Sequence, residues 1–193
     1  MTRTQKITSG LLITLATTAP AFAHTGHETV QNAFLAGLSH PMMGVDHLIA
    51  MVAMGYWASG FAGKQYKAML AAFFALLIGG FSLGLAGFSF SFMETGIVLT
   101  SVITGLLIAT RKNVTQGLAV SLAACFAMFH GFAHGLETAG SVPYLFASGF
   151  LVTSATLVAA GFAVSKLVSR SIPSANRVIG LVIAMMGVSL FSI

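Results

Sequence analysis

Apolar stretches of about 20 residues recur along most of this chain, and they constrain its fold more than any other feature. Of its 193 residues, 56% are hydrophobic and only 7% are charged, whereas soluble domains have about 25% charged residues. A helix needs an apolar run of about this length to cross a hydrocarbon core about 30 Å thick. The sequence therefore predicts an integral membrane protein.

The apolar runs lack the strict alternation of barrel strands, and in lipid only helices and closed barrels satisfy their own backbone. Glycines four residues apart, Gly80 with Gly84 and Gly131 with Gly135, predict close helix contacts. We therefore expect an all-α membrane protein, a bundle of six transmembrane helices. These helices are predicted near residues 40–60, 68–88, 93–110, 115–136, 143–166 and 177–193.

The N-terminus has the layout of a cleavable secretory signal peptide. Basic residues precede a short apolar stretch, and a small-x-small triplet ends at Ala23. We expect residues 1–23 to be removed and residues 24–39 to form a periplasmic N-terminal segment. Residues 40–193 then form the transmembrane domain. An uncleaved first helix is the alternative.

Lysines and arginines predict the orientation of the helices. They occupy the first, third and fifth connections and are missing from the others; the residues are Lys64, Lys67, Arg111, Lys112, Lys166, Arg170 and Arg177. By the positive-inside rule these connections are cytoplasmic. We therefore expect a multi-pass protein of the bacterial inner membrane with both mature termini in the periplasm. The net charge of +5 then reports topology, and no nucleic-acid partner is expected.

Ionisable residues within the predicted helices all fall in the outer half of the membrane. They are His40, Asp46, His47, Glu94, His130, His134 and Glu137. On the fourth helix they lie three and four residues apart and form one stripe, and the two histidines of the first helix lie seven apart. Such groups are costly in hydrocarbon and mark a functional site. Imidazole with carboxylate ligands predicts a divalent transition-metal ion bound between these helices.

Several roles remain open for individual residues of this set. Asp46 lies about 100° around the helix from His47, so it either faces another helix or orients an imidazole. Glu94 either joins the site or is an exposed carboxylate favoured by the helix dipole.

Pro41 is expected in the first turn of the first membrane helix, after a short surface helix near 29–38.

Other residues could bind metal less directly. His24 and His27 could collect an ion at the mature N-terminus. Met43, Met51 and Met54 continue the histidine face of the first helix and could line a path for a soft ion. Methionine more often fills gaps in apolar packing.

The segment HPMMGVDH at residues 40–47 resembles the HPxxGxDH signature of the HupE/UreJ family of small nickel permeases. The resemblance covers nearly the whole mature chain and includes HGFAHGLE at 130–137. It implies a secondary permease for Ni²⁺ or Co²⁺, with the metal as transported ion, no cofactor and no enzymatic activity. A family aromatic residue on the second helix corresponds to Phe73 or Phe74. By resemblance, the metal motifs comprise His40, Asp46, His47, Glu94, His134 and Glu137.

Two other functions fit the same residues. A membrane-embedded zinc hydrolase also gathers histidine and aspartate from several helices, and Ser39 beside His40 would be its suspect residue. A metal sensor or accessory subunit would bind the ion without moving it. No Walker-type loop is present, so transport would draw on an ion gradient or on the membrane potential. A homo-oligomer is compatible with all three functions.

Overall fold

The structure is a computed structural model that describes residues 30–88, 90–110, 114–138, 142–171 and 175–190. Within these ranges the chain is all-helical, which confirms the predicted class. The helices are α1 Val30–Met43, α2 Val45–Ala58, α3 Gly63–Leu85, α4 Met93–Thr110, α5 Gln116–Glu137, α6 Pro143–Ser171 and α7 Ala175–Leu190. Helices α3 to α6 are long and apolar enough to cross a membrane, and α7 is a shorter apolar helix. The expected signal peptide, His24 and His27 lie outside the described residues.

The first predicted membrane helix is broken in two. Helices α1 and α2 have 14 residues each, and Gly44 between them has an extended backbone with φ −94° and ψ 119°. The prediction that Pro41 opens a continuous helix is wrong, because Pro41 lies in the last turn of α1. Pro41 has no N–H to donate to the carbonyl of Gly37, so the last turn of α1 lacks one backbone hydrogen bond, and the helix ends two residues later.

Helix α6, with 29 residues, packs against both halves of the broken helix. A Cβ added to Gly37 of α1 would overlap the carbonyl of Phe146. One added to Gly55 of α2 would overlap the carbonyl of Val158. Residue numbers rise together along the two partners, so the broken helix and α6 run parallel.

The predicted close contacts at glycines are confirmed, and the structure pairs the two glycine-bearing helices, α3 and α5, with each other. A Cβ on Gly80 or Gly84 would overlap carbonyls of α5, and one on Gly131 or Gly135 would overlap carbonyls of α3. Gly80 and Gly84 meet α5 at positions four residues apart in the same order, so these helices also run parallel. Backbones this close leave no room for any side chain at the contact.

Helices α4 and α7 form a third pair, which is antiparallel. Gly180 lies against Ala109, and Gly187 lies against Val102, so residue numbers rise on one helix as they fall on the other. With α1 and α2 counted as one element, all three pairs have the directions expected of a bundle in which consecutive helices run in opposite directions.

Basic residues lie at the end of the bundle where α2 ends. The ammonium of Lys166 donates a hydrogen bond to the carbonyl of Ser59 at 2.9 Å. The hydroxyl of Tyr56 donates to Asn176, which places the neighbouring Arg177 at this end too. The lysines at the start of α3 lie there as well, because α3 begins five residues after α2 ends. Helix α5 runs parallel to α3, so the N-terminal end of α5 also lies there. The C-terminal end of α5, which carries the histidines, is at the opposite end.

Two neighbouring glycines of α3 test the importance of this packing. We expect Gly80→Ala to destabilise the protein by about 1–3 kcal/mol, because its methyl group has to displace the α5 backbone. Gly79→Ala is the matched control, since a Cβ at Gly79 meets no atom within 4 Å, and alanine favours the helix by about 1 kcal/mol. Thermal unfolding in detergent measures both. Equal melting temperatures for the two variants would contradict the close α3–α5 contact.

Candidate metal centre

Three helix ends meet where the predicted polar residues gather. Helix α1 ends beside His40, α2 begins with Asp46 and His47, and the stripe of α5 occupies its C-terminal turns. Gly44 permits the meeting, because a Cβ there would lie 2.7 Å from Asp46 Oδ1 and 2.9 Å from His47 Nδ1. The break in the helix therefore brings His40 and His47 to one place although they sit on different helices. Their predicted common face on one continuous helix is wrong.

A cluster of three potential ligands lies nearest the surface. The Nε2–H of His40 donates to Glu137 Oε2 at 2.7 Å, and His134 Nδ1 lies 3.3 Å from the same oxygen. The side chain of His134 is fully buried, whereas those of His40 and Glu137 are 31% and 47% exposed. The cluster, which we call the outer cluster, therefore opens to the surface through two of its three members.

The outer cluster is nearly the right size for a metal ion. One ligand atom from each of its three residues lies within 4.8 Å of the others. Metal–nitrogen and metal–oxygen bonds of about 2.0–2.2 Å put ligands on opposite sides of an ion about 4 Å apart. A closure of less than about 1 Å would let all three residues bind one ion.

Asp46 orients His47 instead of facing another helix. Its Oδ1 lies 3.2 Å from His47 Nδ1, within reach of a hydrogen on that nitrogen. The Nε2 of His47 then carries a lone pair, and it is buried without a hydrogen-bond partner among the described residues. A carboxylate that holds one imidazole nitrogen while the other binds metal is the usual arrangement around ligating histidines.

A backbone carbonyl orients the ring of His130 in the same way. Its Nδ1–H donates to the carbonyl of Phe126 at 2.7 Å, and a carbonyl can only accept. The Nε2 therefore bears a lone pair, and it too is buried without a partner in the described part of the chain. The Nε2 of His134 is likewise buried without a hydrogen-bond partner among the described residues, whereas its Nδ1 lies 3.3 Å from Glu137 Oε2. Each such buried group costs about 1–3 kcal/mol, a cost that binding of a cation would offset.

The four imidazoles form a continuous row into the protein. The ring centroids of His40 and His134 are 4.7 Å apart, and those of His134 and His47 are 4.3 Å apart. The row ends at His130, whose centroid is 5.5 Å from that of His47. The row thus runs from a partly exposed ring to a buried one, in contact at every step.

The surrounding backbone adds negative potential. Helices α1 and α5 both end at the outer cluster, and a helix C-terminus carries about half a negative charge. The N-terminus of α2 has the opposite sign, but Asp46 in its first turn offsets it. With Glu137, the site holds two carboxylates and no described lysine or arginine, so it favours a cation.

The remaining candidates lie outside the outer cluster. Glu94 is exposed in the first turn of α4 and is not a member of the outer cluster. Met43 is 64% exposed at the end of α1. The hydroxyl of Ser39 donates to the carbonyl of Ala36 and is therefore engaged by its own helix.

Two buried hydroxyl residues on α4 were missed from the sequence. Thr100 and Thr104 are each 3% exposed and, with Phe73 of α3, line a cavity next to His130. Their four-residue spacing puts them on one helix face, which is the signal that could have found them. The sequence does not show that this face of α4 packs against α2, so it gave no reason to place the two threonines near His130.

Substituting two carboxylates in turn distinguishes a metal ligand from a carboxylate that only adds negative charge. We expect Glu137→Gln to weaken Co²⁺ binding by about 10- to 100-fold, because a contact to a charged group is worth about 1.5–3 kcal/mol. Glu94→Gln, the matched control on the same end of the bundle, should weaken binding several-fold at most. Isothermal titration of the purified protein with Co²⁺ measures both affinities. A larger loss from Glu94→Gln would contradict the outer cluster as the binding site.

Comparison with known proteins identifies the family. The profile of the HupE / UreJ protein family matches residues 12–190. The chain is 35% identical over 187 residues to Protein HupE of Rhizobium leguminosarum bv. viciae, covering 94% of this chain and 97% of the relative. No solved structure matches the chain. The predicted resemblance is confirmed, and the protein belongs to the HupE/UreJ family.

Proposed function

We propose that this protein is a secondary permease that moves Ni²⁺, or Co²⁺, from the periplasm into the cytoplasm. The observation that carries the proposal is the outer cluster, whose three ligand atoms lie within 4.8 Å of one another and lead into a row of buried imidazoles. Membership of a family associated with nickel and cobalt transport supports the same function.

Loading of the outer cluster begins at its exposed members. His40 and Glu137 reach the surface, so an incoming hydrated ion meets the carboxylate first. The Nε2–H of His40 points at Glu137, so metal binding at that nitrogen requires its proton to leave or to move to Nδ1. Nitrogen and oxygen ligands without thiolate favour borderline divalent ions such as Ni²⁺ and Co²⁺ over copper(I). His134 then supplies the first fully buried ligand.

The proposed membrane topology has six crossings, with α1 and α2 together forming the first. The alternating helix directions support this number, and the basic end of the bundle is assigned to the cytoplasm by the positive-inside rule. The outer cluster then faces the periplasm. Cleavage after Ala23 leaves the mature N-terminus and the C-terminus on the periplasmic side of the inner membrane, and the permease domain begins with α1 at Val30, ten residues before the predicted boundary at residue 40.

A broken first helix suits this function. Secondary transporters commonly build their ion sites at discontinuous helices, whose free ends interact with the ion. The membrane potential supplies enough energy: two charges moving inward across about 100 mV gain about 4.6 kcal/mol, enough for accumulation of more than a thousandfold. Coupling to a second ion is therefore unnecessary.

The hydrolase and sensor alternatives gain no support from the site. A zinc hydrolase needs a nucleophile or a water activated beside the ion, and the Ser39 hydroxyl is bonded to the carbonyl of Ala36. A sensor needs the outer cluster but gives no reason for a row of imidazoles that continues inward.

Uptake of radioactive nickel into proteoliposomes tests the permease. We expect saturable uptake that increases with an inside-negative potential and falls at least tenfold in His47→Ala, because that variant removes a central member of the imidazole row. Met43→Leu is the control, since its exposed side chain lies outside the row. Size-exclusion chromatography checks that both variants fold.

Each alternative predicts a different result. Binding of nickel without flux would favour the sensor, and zinc-dependent turnover of a lipid or amide without flux would favour the hydrolase. Unchanged uptake in a folded His47→Ala protein would contradict a pathway through the histidines.

A further inference from the structure

We propose that His130, together with the thioethers of Met51 and Met54, forms a second, inner metal site that receives the ion from the outer cluster. This inference rests on the proposed permease function and adds a step to it. The inner site binds the ion transiently on its way to the cytoplasmic end, and its ligands differ in type from those of the outer cluster.

A small cavity marks the place. It lies among α2, α3, α4 and α5, and its size corresponds to about one water molecule. Its lining comprises Ala50, Met51, Met54, Phe73, Thr100, Thr104, Phe126 and His130. The two methionines are 1% and 2% exposed, so the cavity lies inside the bundle rather than on its surface.

His130 is the group that makes the cavity a candidate ligand site. Its ring is 2% exposed, and the Phe126 carbonyl engages its Nδ1–H. The Nε2 lone pair therefore has no described hydrogen-bond partner and is free to bind a cation. The hydroxyls of Thr100 and Thr104 donate to carbonyls of their own helix, so their oxygens can still accept or coordinate weakly.

The inner site is connected to the outer cluster through His47. That ring lies 4.3 Å from His134 and 5.5 Å from His130, centroid to centroid. Because His130 precedes His134 by one turn of α5, and Met51 and Met54 follow His47 along α2, the cavity lies deeper along both helices. An ion can therefore pass between neighbouring ligands without crossing apolar surface.

The change in ligand type explains how the ion can leave. The outer cluster includes a carboxylate, whereas the lining of the cavity contains no ionised side chain. Thioether sulfur is a soft ligand that suits Cu(I) better than Ni²⁺ or Co²⁺, and the inner site adds no opposite charge, so it holds a divalent ion weakly. The cavity also lacks room for a hydrated ion, so protein atoms must replace the water ligands there. Conduction needs this combination of dehydration and weak binding.

Cysteine substitution provides a spectroscopic test. In a Cys125→Ser background, which removes the sole cysteine, Met51→Cys or Met54→Cys places a thiol at the cavity. We expect added Co²⁺ to give a thiolate-to-cobalt charge-transfer absorption band in the near ultraviolet with at least one of these variants. A further His130→Ala substitution should lower the band at least fivefold, because the ion then loses its nitrogen ligand.

Met128→Cys in the same background is the matched control. Met128 lies half a turn from His130 on α5, is partly buried and does not line the cavity, so we expect no band from it. Using both Met51→Cys and Met54→Cys protects the test against a single variant that fails to fold.

The outcomes separate the inner site from the permease function. The absence of a band from folded Met51→Cys and Met54→Cys proteins that still bind Co²⁺ would show that these methionines only fill space, and would overturn the inner site. A band of equal intensity from Met128→Cys, or one unaffected by His130→Ala, would overturn it as well. Nickel uptake by the unmodified protein is measured separately, so loss of the inner site leaves the permease proposal standing. Absence of uptake with the cobalt band intact would overturn the permease and the site's role as a step in transport, and would leave only a metal-binding site at the cavity.

Discussion

The contact between the broken helix and the C-terminal turns of α5 is the constraint on which the rest of the site depends. Gly44 interrupts the helix where a continuous one would have carried His40 and His47 along its own axis. Its missing side chain leaves space for Asp46 and His47. The ends of α1 and α2 can then approach α5 from the same side. Without the break, the outer cluster would lose either His40 or the orientation that Asp46 imposes on His47.

Glycine packing holds this arrangement in place. The α3–α5 pair and the pair of the broken helix with α6 both bring backbones into direct contact at glycines. In lipid no hydrophobic effect drives helices together, so close packing of small residues is the main source of association. The positions of the histidines are therefore determined by residues that never touch an ion. A rigid frame of this kind keeps four imidazoles in contact although several of their nitrogens lack partners.

The two ends of the bundle differ in their chemistry. One end combines carboxylates, imidazoles and the negative ends of two helices, and it attracts cations. The other end carries the described basic residues, with Lys166 bonded to the C-terminal end of α2. On the proposed pathway, an ion that enters by the acidic end passes neutral ligands before it reaches the basic end. The distribution of charge therefore favours weak binding at depth over a tight resident site.

The sequence by itself determined the membrane class, the helical composition, the glycines suited to close packing and the identity of the polar residues, because apolar length, helical spacing and the cost of buried charge act locally. The tertiary structure alone decided that Gly44 breaks the first helix, that Asp46 orients His47, that Glu94 stands apart from the outer cluster, and that Thr100 and Thr104 line a cavity beside His130. Each of these depends on which helices become neighbours and at what register. Residues more than 80 positions apart in the chain, such as His47 and His130, meet only when all the glycine contacts form together.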